Sequence, residues 1–354
     1  MMKTIYKISM FIAAAITFGS CAKNVSVGVN EANKRYFDAW LSVNAPEAER
    51  AGRGIYVLPE YTEEGTGATV ETDGFAIWRY TIRTLDGTIN SYTDKEYAEQ
   101  LGTYDPASYY GVQVQTTTPE TIRAGLYDAI IGMKAGGKKR VIVPAWLMSY
   151  SNFATEEEYL TQSSDYSDAI YDIQIVDFAK NINDWQLGKM EECFKKSDFF
   201  YGAFANTQIK DSTSLGFYFK MLNKVESEKE FPTDTTIYIN YTGRLLNLPE
   251  YYGDGLVFDT TIENLAKDHH LYSSSNTYEP VAIKWGETHS DITLDGSSVV
   301  SGFSQTVWNM VNCAPGTRAV GVFYSDLGYG YNGSGSIPPY APLVFEIEIV
   351  EKPE

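Results

Sequence analysis

The chain has 354 residues and a mass of 39.6 kDa, enough for two or three domains of the usual ~100–200 residues. Hydrophobic residues make up 44% and charged residues 21%, a balance that fills cores and excludes an intrinsically disordered chain. The 28 Lys and Arg against 46 Asp and Glu leave a formal charge of −18, an acidity that repels phosphate backbones and argues against nucleic acid as a partner. Aromatic residues reach 14%, with 27 Tyr and 6 Trp, which favours β-rich structure and supplies amphipathic rings for a binding surface.

Residues 1–20 place Lys3 and Lys7 before an apolar run from Ile8 to Phe18, followed by small residues up to Cys21. That order is the pattern of an export signal, and the run is too short to cross a hydrocarbon core about 30 Å thick as a stable helix. The Phe18-Gly19-Ser20-Cys21 junction resembles the lipobox of bacterial lipoproteins. It implies lipid attachment at Cys21 and an exported protein anchored in the bacterial cell envelope, at the outer membrane on its periplasmic or surface side, that touches the membrane through this anchor only. The alternative is a plain secretory signal with an incidental cysteine. The remaining Cys193 and Cys313 are too few for a disulfide framework. They pair or stay buried as separate thiols, and the helical pattern around Cys193 against the turn-like Asn312–Gly316 favours separation.

Residues 22–29 read as a tether. From Asn30 to Trp40, Tyr36, Phe37 and Trp40 recur three or four residues apart among charges, which predicts an amphipathic helix. A strand-like run, Gly54-Ile55-Tyr56-Val57-Leu58, comes next, then the alternating strand Phe75–Thr81. Thr118-Pro119-Glu120 reads as an N-cap and first-turn proline for a helix with Ile122, Leu126, Ala129, Ile130 and Met133 on one face. Gly136-Gly137 ends it, and strands follow at Arg140–Pro144 and Ala169–Phe178. The same series then recurs about 160 residues later, the sign of a duplicated chain. It comprises a helix over Trp185–Phe194 with Leu187, Met190 and Phe194, strands at Gly216–Phe219 and Thr236–Thr242, an apolar helix face of Val299, Val300, Phe303, Val307 and Met310, a stop at Gly316, and strands at Ala319–Phe323 and Leu343–Val350. Several strands around one central helix, twice over, predict an α+β chain of two small units. The two amphipathic helices leave open docking of the units on one another or a homodimer.

In the second unit six segments stand out in order: Tyr241-Thr242-Gly243, Val257-Phe258-Asp259-Thr260-Thr261, Val299-Val300-Ser301-Gly302-Phe303, Pro315-Gly316-Thr317-Arg318, Ser325-Asp326-Leu327-Gly328-Tyr329-Gly330 and Ile337–Glu346 with its Pro338-Pro339 pair. On these segments, which span most of residues 232–351, the unit resembles the FKBP-type peptidyl-prolyl cis-trans isomerase family. The resemblance implies two tandem domains, each a twisted antiparallel β-sheet wrapped around a short α-helix and preceded by an amphipathic helix. The expected boundaries are signal peptide 1–20, lipidated tether and helix 21–51, first domain 52–179, connecting helix and linker 180–215, and isomerase domain 216–354. It further implies a proline pocket with Tyr241, Phe258, Val299, Phe303 and Phe345 as walls, Phe303 standing where many members carry a floor Trp. The Val300 N–H and the Tyr329 hydroxyl are the implied donors to a substrate carbonyl, Asp259 is the acid beside the pocket, and Ile337 lies in the flap. Proline-containing polypeptides are the implied substrates, with no nucleophile, metal or cofactor.

Those residue types suit the chemistry. Amide rotation costs about 18–20 kcal/mol, and the planar amide is more polar than its twisted transition state, so a dry aromatic cradle with a few donors favours the twisted form. Two departures stand against the family pattern: Pro280-Val281 replaces a proline followed by an aromatic residue, and no clear arginine partners Asp259. Insertions at Glu263–Glu279, with His269, His270 and Tyr272–Tyr278, and at Glu287–Ser298 flank the expected pocket. Adjacent histidines with a distant His289 make a surface loop rather than a metal site, Glu156-Glu157-Glu158 is a solvated face, and the glycine-rich Gly328–Gly335 lacks the Lys-Ser/Thr of a phosphate loop.

The first unit keeps the skeleton at Tyr80, Gly87, Gly125, Met133 and Gly136. There Ile89-Asn90 replaces Phe-Asp, Arg123 falls at the backbone-donor position beside Ile122, Leu126 replaces the floor aromatic, and Trp146–Ser151 lacks the Tyr-Gly loop ending. The fold is expected to persist and the isomerase site to be lost. The leading reading is an isomerase assisting the folding of envelope or exported proteins. The alternative is a noncatalytic binding or chaperone lipoprotein, and a third idea, glycan binding by the many Tyr and Trp, finds no support in the motifs.

Overall fold

The computed structural model describes residues 28–150, 153–195, 202, 204 and 216–354. The export signal, Cys21, residues 22–27 of the tether, Ser151 and most of the linker over 196–215 lie outside the described residues.

Helix α1 (Val29–Asn44) runs further than the aromatic spacing indicates and buries Phe37 and Leu41. With Ala45 they pack on Ile142, flanked by Tyr56, Leu58 and Ile170. The first sheet then forms from β1 (Glu49–Ala51), β2 (Ile55–Glu63), β3 (Phe75–Arg83), β4 (Ile89–Tyr92), β5 (Gln113–Thr116), β6 (Lys138–Val143) and β7 (Ala169–Ala179), with α2 (Lys95–Leu101), α3 (Ala124–Ile130) and α4 (Glu156–Leu160) between them. Helix α5 (Ile182–Phe194) leads to β8 (Phe217–Asn223), β9 (Thr236–Leu245), β10 (Val257–Thr260), α6 (Glu263–Asp268), β11 (Val281–Lys284), β12 (Thr293–Leu294), β13 (Ser297–Ser298), α7 (Ser301–Trp308), β14 (Arg318–Phe323) and β15 (Leu343–Val350).

The first sheet runs β1-β2-β6-β7-β3-β4 with β5 also on β3; the second runs β13-β12-β11-β9-β15-β14-β8 with β10 also on β9. Stripped of their extra edge strands, β2-β6-β7-β3 and β8-β14-β15-β9 are the same antiparallel order. In each copy the long strand divides its remaining edge between two short strands: β3 pairs β5 over Phe75–Trp78 and β4 over Thr81–Arg83, and β9 pairs β11 over Thr236–Ile239 and β10 from Thr242 to Arg244. The protein is thus an α+β chain built from one β-sheet and helix design used twice.

The helix of the first unit starts later than its Thr118-Pro119 signal indicates. Pro119–Thr121 forms a short 3₁₀ turn, and Ile122 and Arg123 then run extended. The chain is held there because the Ala124 N–H bonds across to Ser149 O at 2.9 Å, so α3 begins only at Ala124. Ile122, Leu126, Ala129, Ile130 and Met133 are all buried as the spacing requires, although Ile122 and Met133 lie outside the helix.

Both units seat helix on sheet at the same place. A Cβ on Gly125, in the first turn of α3, would run into Val143 at the end of β6; one on Gly302, in the first turn of α7, would run into the ring of Phe323 at the end of β14. The absent side chains let helix backbone rest directly on strand side chains, at close-packed interior density.

The two units touch. Tyr109 donates its hydroxyl to Tyr251 O at 2.9 Å, and Ile77, Val112 and Ala179 of the first unit join the core of the second. Helix α5 belongs to that same core through Met190, Cys193 and Phe194. Its fully buried Gln186 donates to Ser325 Oγ at 2.9 Å and accepts the Ser325 N–H at 2.8 Å. Cys193 and Cys313 are buried as separate thiols.

Two stability effects are expected. Gly302→Ala over-packs a buried ring contact and should cost about 1–3 kcal/mol, read as a lower urea midpoint with an unchanged slope; an unchanged midpoint would show that the helix does not rest on Phe323. The second concerns Asp168, which accepts the Ala145 N–H at 2.8 Å and whose burial pushes its carboxyl up to about 6. The folded state therefore binds this proton more tightly than the unfolded chain, and the contribution of Asp168 to stability falls as pH rises from about 4 to 6. Asp168→Asn keeps an acceptor and removes the titration, so its stability relative to the parent should climb across that window and level above it; a flat difference would remove Asp168 as the cause.

Candidate functional site

The candidate site of the second unit lies where α7 crosses the sheet. Strand alternation sends Tyr241 of β9 and Phe345 of β15 to the helix side, while Thr242 and Arg244 face the other way with Glu346. Phe345 is the hub. Its ring centroid lies 5.2 Å from Phe303, 5.7 Å from Phe258, 6.1 Å from Tyr241 and 5.8 Å from Phe323. Tyr241 and Phe303 meet edge to face at 5.5 Å and 81°, as the ring quadrupoles favour. Gly243 explains the third residue of the Tyr-Thr-Gly segment: a Cβ there would collide with Phe258 and crowd Phe345.

Phe303 and Phe345 are buried and form the floor, while Tyr241, Phe258, Val299 and Val300 are half-buried around it and pack on the same core. Tyr329 stands at the rim, 36% exposed. Ile337 is buried in the flap, whose N–H and carbonyl pair with Ser334 at 2.8 and 2.9 Å, and the flap is tied to the Tyr329 loop by Tyr340 N–H to Gly330 O at 2.9 Å. Val300 runs extended just before α7, and the first helical bond runs from Ser304 N to Val300 O. The Val300 N–H therefore has no intrahelical acceptor, the ordinary condition of a helix start.

Asp259, for which the sequence offers no clear arginine partner, is bound by a tyrosine. The Tyr241 hydroxyl donates to Asp259 Oδ2 at 2.6 Å. Burial, reinforced by the Asp259 charge, drives the Tyr241 phenol far above the ordinary tyrosine range, and burial followed by the same charge raises Tyr329. Both phenols are thus hydrogen-bond donors at neutral pH. Arg244, the arginine on the same strand, turns away and lies 3.9 Å from Glu346. Of the residues named from the sequence, Tyr241, Phe258, Phe303 and Phe345 meet in one ring cluster and Asp259 joins it through the Tyr241 hydroxyl, while Ile337 lines a separate cleft with Tyr109 and Gln113. Phe323, stacked parallel under Phe345 with an interplanar angle of 3°, was not among them; in the sequence it only ends an apolar run.

In the first unit, Tyr80, Ile122, Leu126 and Tyr171 take the positions of Tyr241, Val299, Phe303 and Phe345. They line a cavity of about 290 Å³ together with Trp78 and Arg123. Leu126 reads in the sequence as the loss of a floor ring; in space it leaves room.

A family model described as FKBP-type peptidyl-prolyl cis-trans isomerase matches residues 228–350. Among solved structures, the chain is similar to the three FKBP domains of wheat FKBP73, with 17% identity, 84% of this chain and 94% of that chain covered, and a TM-score of 0.27. It is also similar to a peptidyl-prolyl cis-trans isomerase from Pseudomonas syringae pv. tomato, at 21% identity over 48% of this chain and 94% of that one with a TM-score of 0.29. FkpA from Escherichia coli matches at 22% identity over 48% of this chain and 58% of that one, again with a TM-score of 0.29. No curated protein sequence matches the chain. The aromatic floor and the Tyr241–Asp259 pair both fall within residues 228–350, the segment that matches the FKBP-type peptidyl-prolyl cis-trans isomerase family model.

Proposed function

We propose that the C-terminal unit isomerises X–Pro bonds of exported polypeptides at the Phe345-centred pocket, and that the N-terminal unit binds without isomerase chemistry. The observation that carries the reading is the ring cluster itself: a dry floor of Phe303 and Phe345 bordered by protonated phenols and a helix-start N–H.

Proline would sit on the Phe303 and Phe345 rings with Tyr241 and Phe258 as side walls. Excluding water there weakens solvation of the polar planar amide more than that of the twisted amide, which lowers the rotation barrier by differential binding. The Val300 N–H and Tyr329 hydroxyl are suited to hold the carbonyl oxygen as it turns, and Asp259 fixes the Tyr241 ring through its hydroxyl. No bond to the substrate is made or broken, so the step needs no nucleophile. The positively charged start, apolar run and Cys21 support an exported, lipid-anchored protein whose clients are proline-containing envelope or exported polypeptides. Among the described residues no helix is long and apolar enough to cross a membrane.

A protease-free isomerisation assay on the chain from Ala22 onward tests the reading. Rate enhancement is expected, with Phe345→Ala lowering it by about tenfold or more and Tyr329→Phe by a few-fold, since a single hydrogen bond contributes about 0.5–1.5 kcal/mol net. Phe345 is a core residue, so near-ultraviolet circular dichroism must show that variant folded; Tyr329 is at the rim and carries no such burden. Unchanged rates in both folded variants would overturn the pocket assignment.

A further inference from the structure

The cavity of the first unit differs from the pocket of the second in charge. Among the described residues its lining includes Trp78, Tyr80, Leu126 and Tyr171 as apolar and aromatic surface and no Asp or Glu, in a chain of net charge −18. The one formal charge among the described lining residues is Arg123. Arg123 Nη1 reaches the Tyr171 hydroxyl at 3.5 Å, and among the described residues it has no carboxylate within salt-bridge distance. Apart from Arg50, every other described arginine has one: Arg35, Arg53, Arg79, Arg83, Arg140, Arg244 and Arg318 all pair with Asp or Glu. A guanidinium stays charged at any physiological pH. Placed half-buried against aromatic rings with no acid to neutralise it, it is complementary to an incoming carboxylate that carries apolar surface beside it.

The path of the ligand follows from a shared residue. Gln113 lines this cavity and also a second one of about 450 Å³ at the junction of the units, where Tyr109 meets Ile337, Pro338 and Pro339 of the flap. The two clefts adjoin at Gln113, and the far side of the junction is formed by Ile337, Pro338 and Pro339 of the second unit. A chain laid along this course passes the first cavity rather than ending in it.

We propose that the first-unit cavity is a docking subsite for polypeptides, in which Arg123 pairs with the side-chain carboxylate of an acidic residue next to an apolar one seated among Trp78, Tyr80 and Leu126. The polypeptide class of the ligand rests on the isomerase reading above; the carboxylate selectivity does not. Cis/trans chemistry in the second pocket and acidic recognition in the first would then act on one client strand.

The test uses the full chain and three proline-free peptides: acetyl-Ala-Leu-Glu-Ala-amide, its Leu-Gln counterpart, and the Leu-Gln peptide with a free C-terminal carboxylate. Binding is followed by methyl shifts of Ile82 and Leu126, and X–Pro isomerisation of a short uncharged peptide is measured in parallel. The Glu peptide should shift these methyls and bind about tenfold or more tighter than its Gln counterpart. Arg123→Gln should abolish that preference and Arg123→Lys retain part of it, with the X–Pro rate unchanged in both. Equal binding of the Glu and Gln amides, an undiminished preference in Arg123→Gln, or no methyl shift with any peptide would overturn the proposal. Binding of the free-acid peptide alone would overturn the side-chain assignment in favour of a chain terminus. Because no peptide in the binding arm contains proline, loss of isomerase activity and loss of docking are read separately.

Discussion

Each unit depends on one contact, the helix backbone resting on the end of a strand without a side chain between them. Gly125 over Val143 and Gly302 over Phe323 set the depth of α3 and α7 against their sheets. A helix of seven or eight residues covers only part of a sheet, so inward-facing rings beyond it have no helical cover. In the second unit Tyr241 and Phe258 stay half-buried at its edge, while Phe345 meets the helix through Phe303 and stacks on Phe323. The partly covered ring cluster is thus a by-product of how little sheet so short a helix can cover, built from residues that also belong to the core.

The same geometry carries opposite electrostatics in the two copies. In the second, the Asp259 carboxylate holds the Tyr241 hydroxyl and raises the Tyr329 phenol. In the first, Ser91 stands opposite Ile82 where Asp259 stands opposite Gly243, so the acid is replaced by Ser91 rather than by Asn90 as the sequence implied; Leu126 replaces the floor ring, and Arg123 supplies a charge on the lining. Fold and chemistry therefore separate cleanly: the strand order is shared and a handful of side chains set what each concavity receives. Helix α5 holds the copies together, since its Trp185 donates to Asp177 of the first sheet while Gln186 is bound to Ser325 in the 3₁₀ turn after β14 of the second unit.

Much of this was legible in the sequence because it is periodic. β15 runs over Leu343–Val350, the very stretch its alternation marks, and the duplicated strand order follows from repeated strand and glycine signals. What escaped had no period or lay in three dimensions. The two-residue strands β12 and β13 are too short to alternate. The late start of α3 depends on an acceptor at Ser149, far along the chain. The family pattern implies an arginine for Asp259 and the sequence has no clear one, whereas a neighbouring strand brings Tyr241 to it, a pairing that no spacing along the chain reveals. The first-unit cavity escaped for a related reason: a ring-to-leucine change signals loss when read along the chain and opens volume when read across the fold.

The central claim is that X–Pro rotation is accelerated on the rings of the C-terminal unit. Exchange nuclear magnetic resonance on an X–Pro peptide with substoichiometric protein, recorded with the methyl signals of Val299, Val300 and Ile337, observes catalysis and location together. Cis/trans exchange peaks accompanied by shifts of those three residues are expected. Exchange with the three methyl sets unmoved, or their shifts without exchange, would contradict that claim.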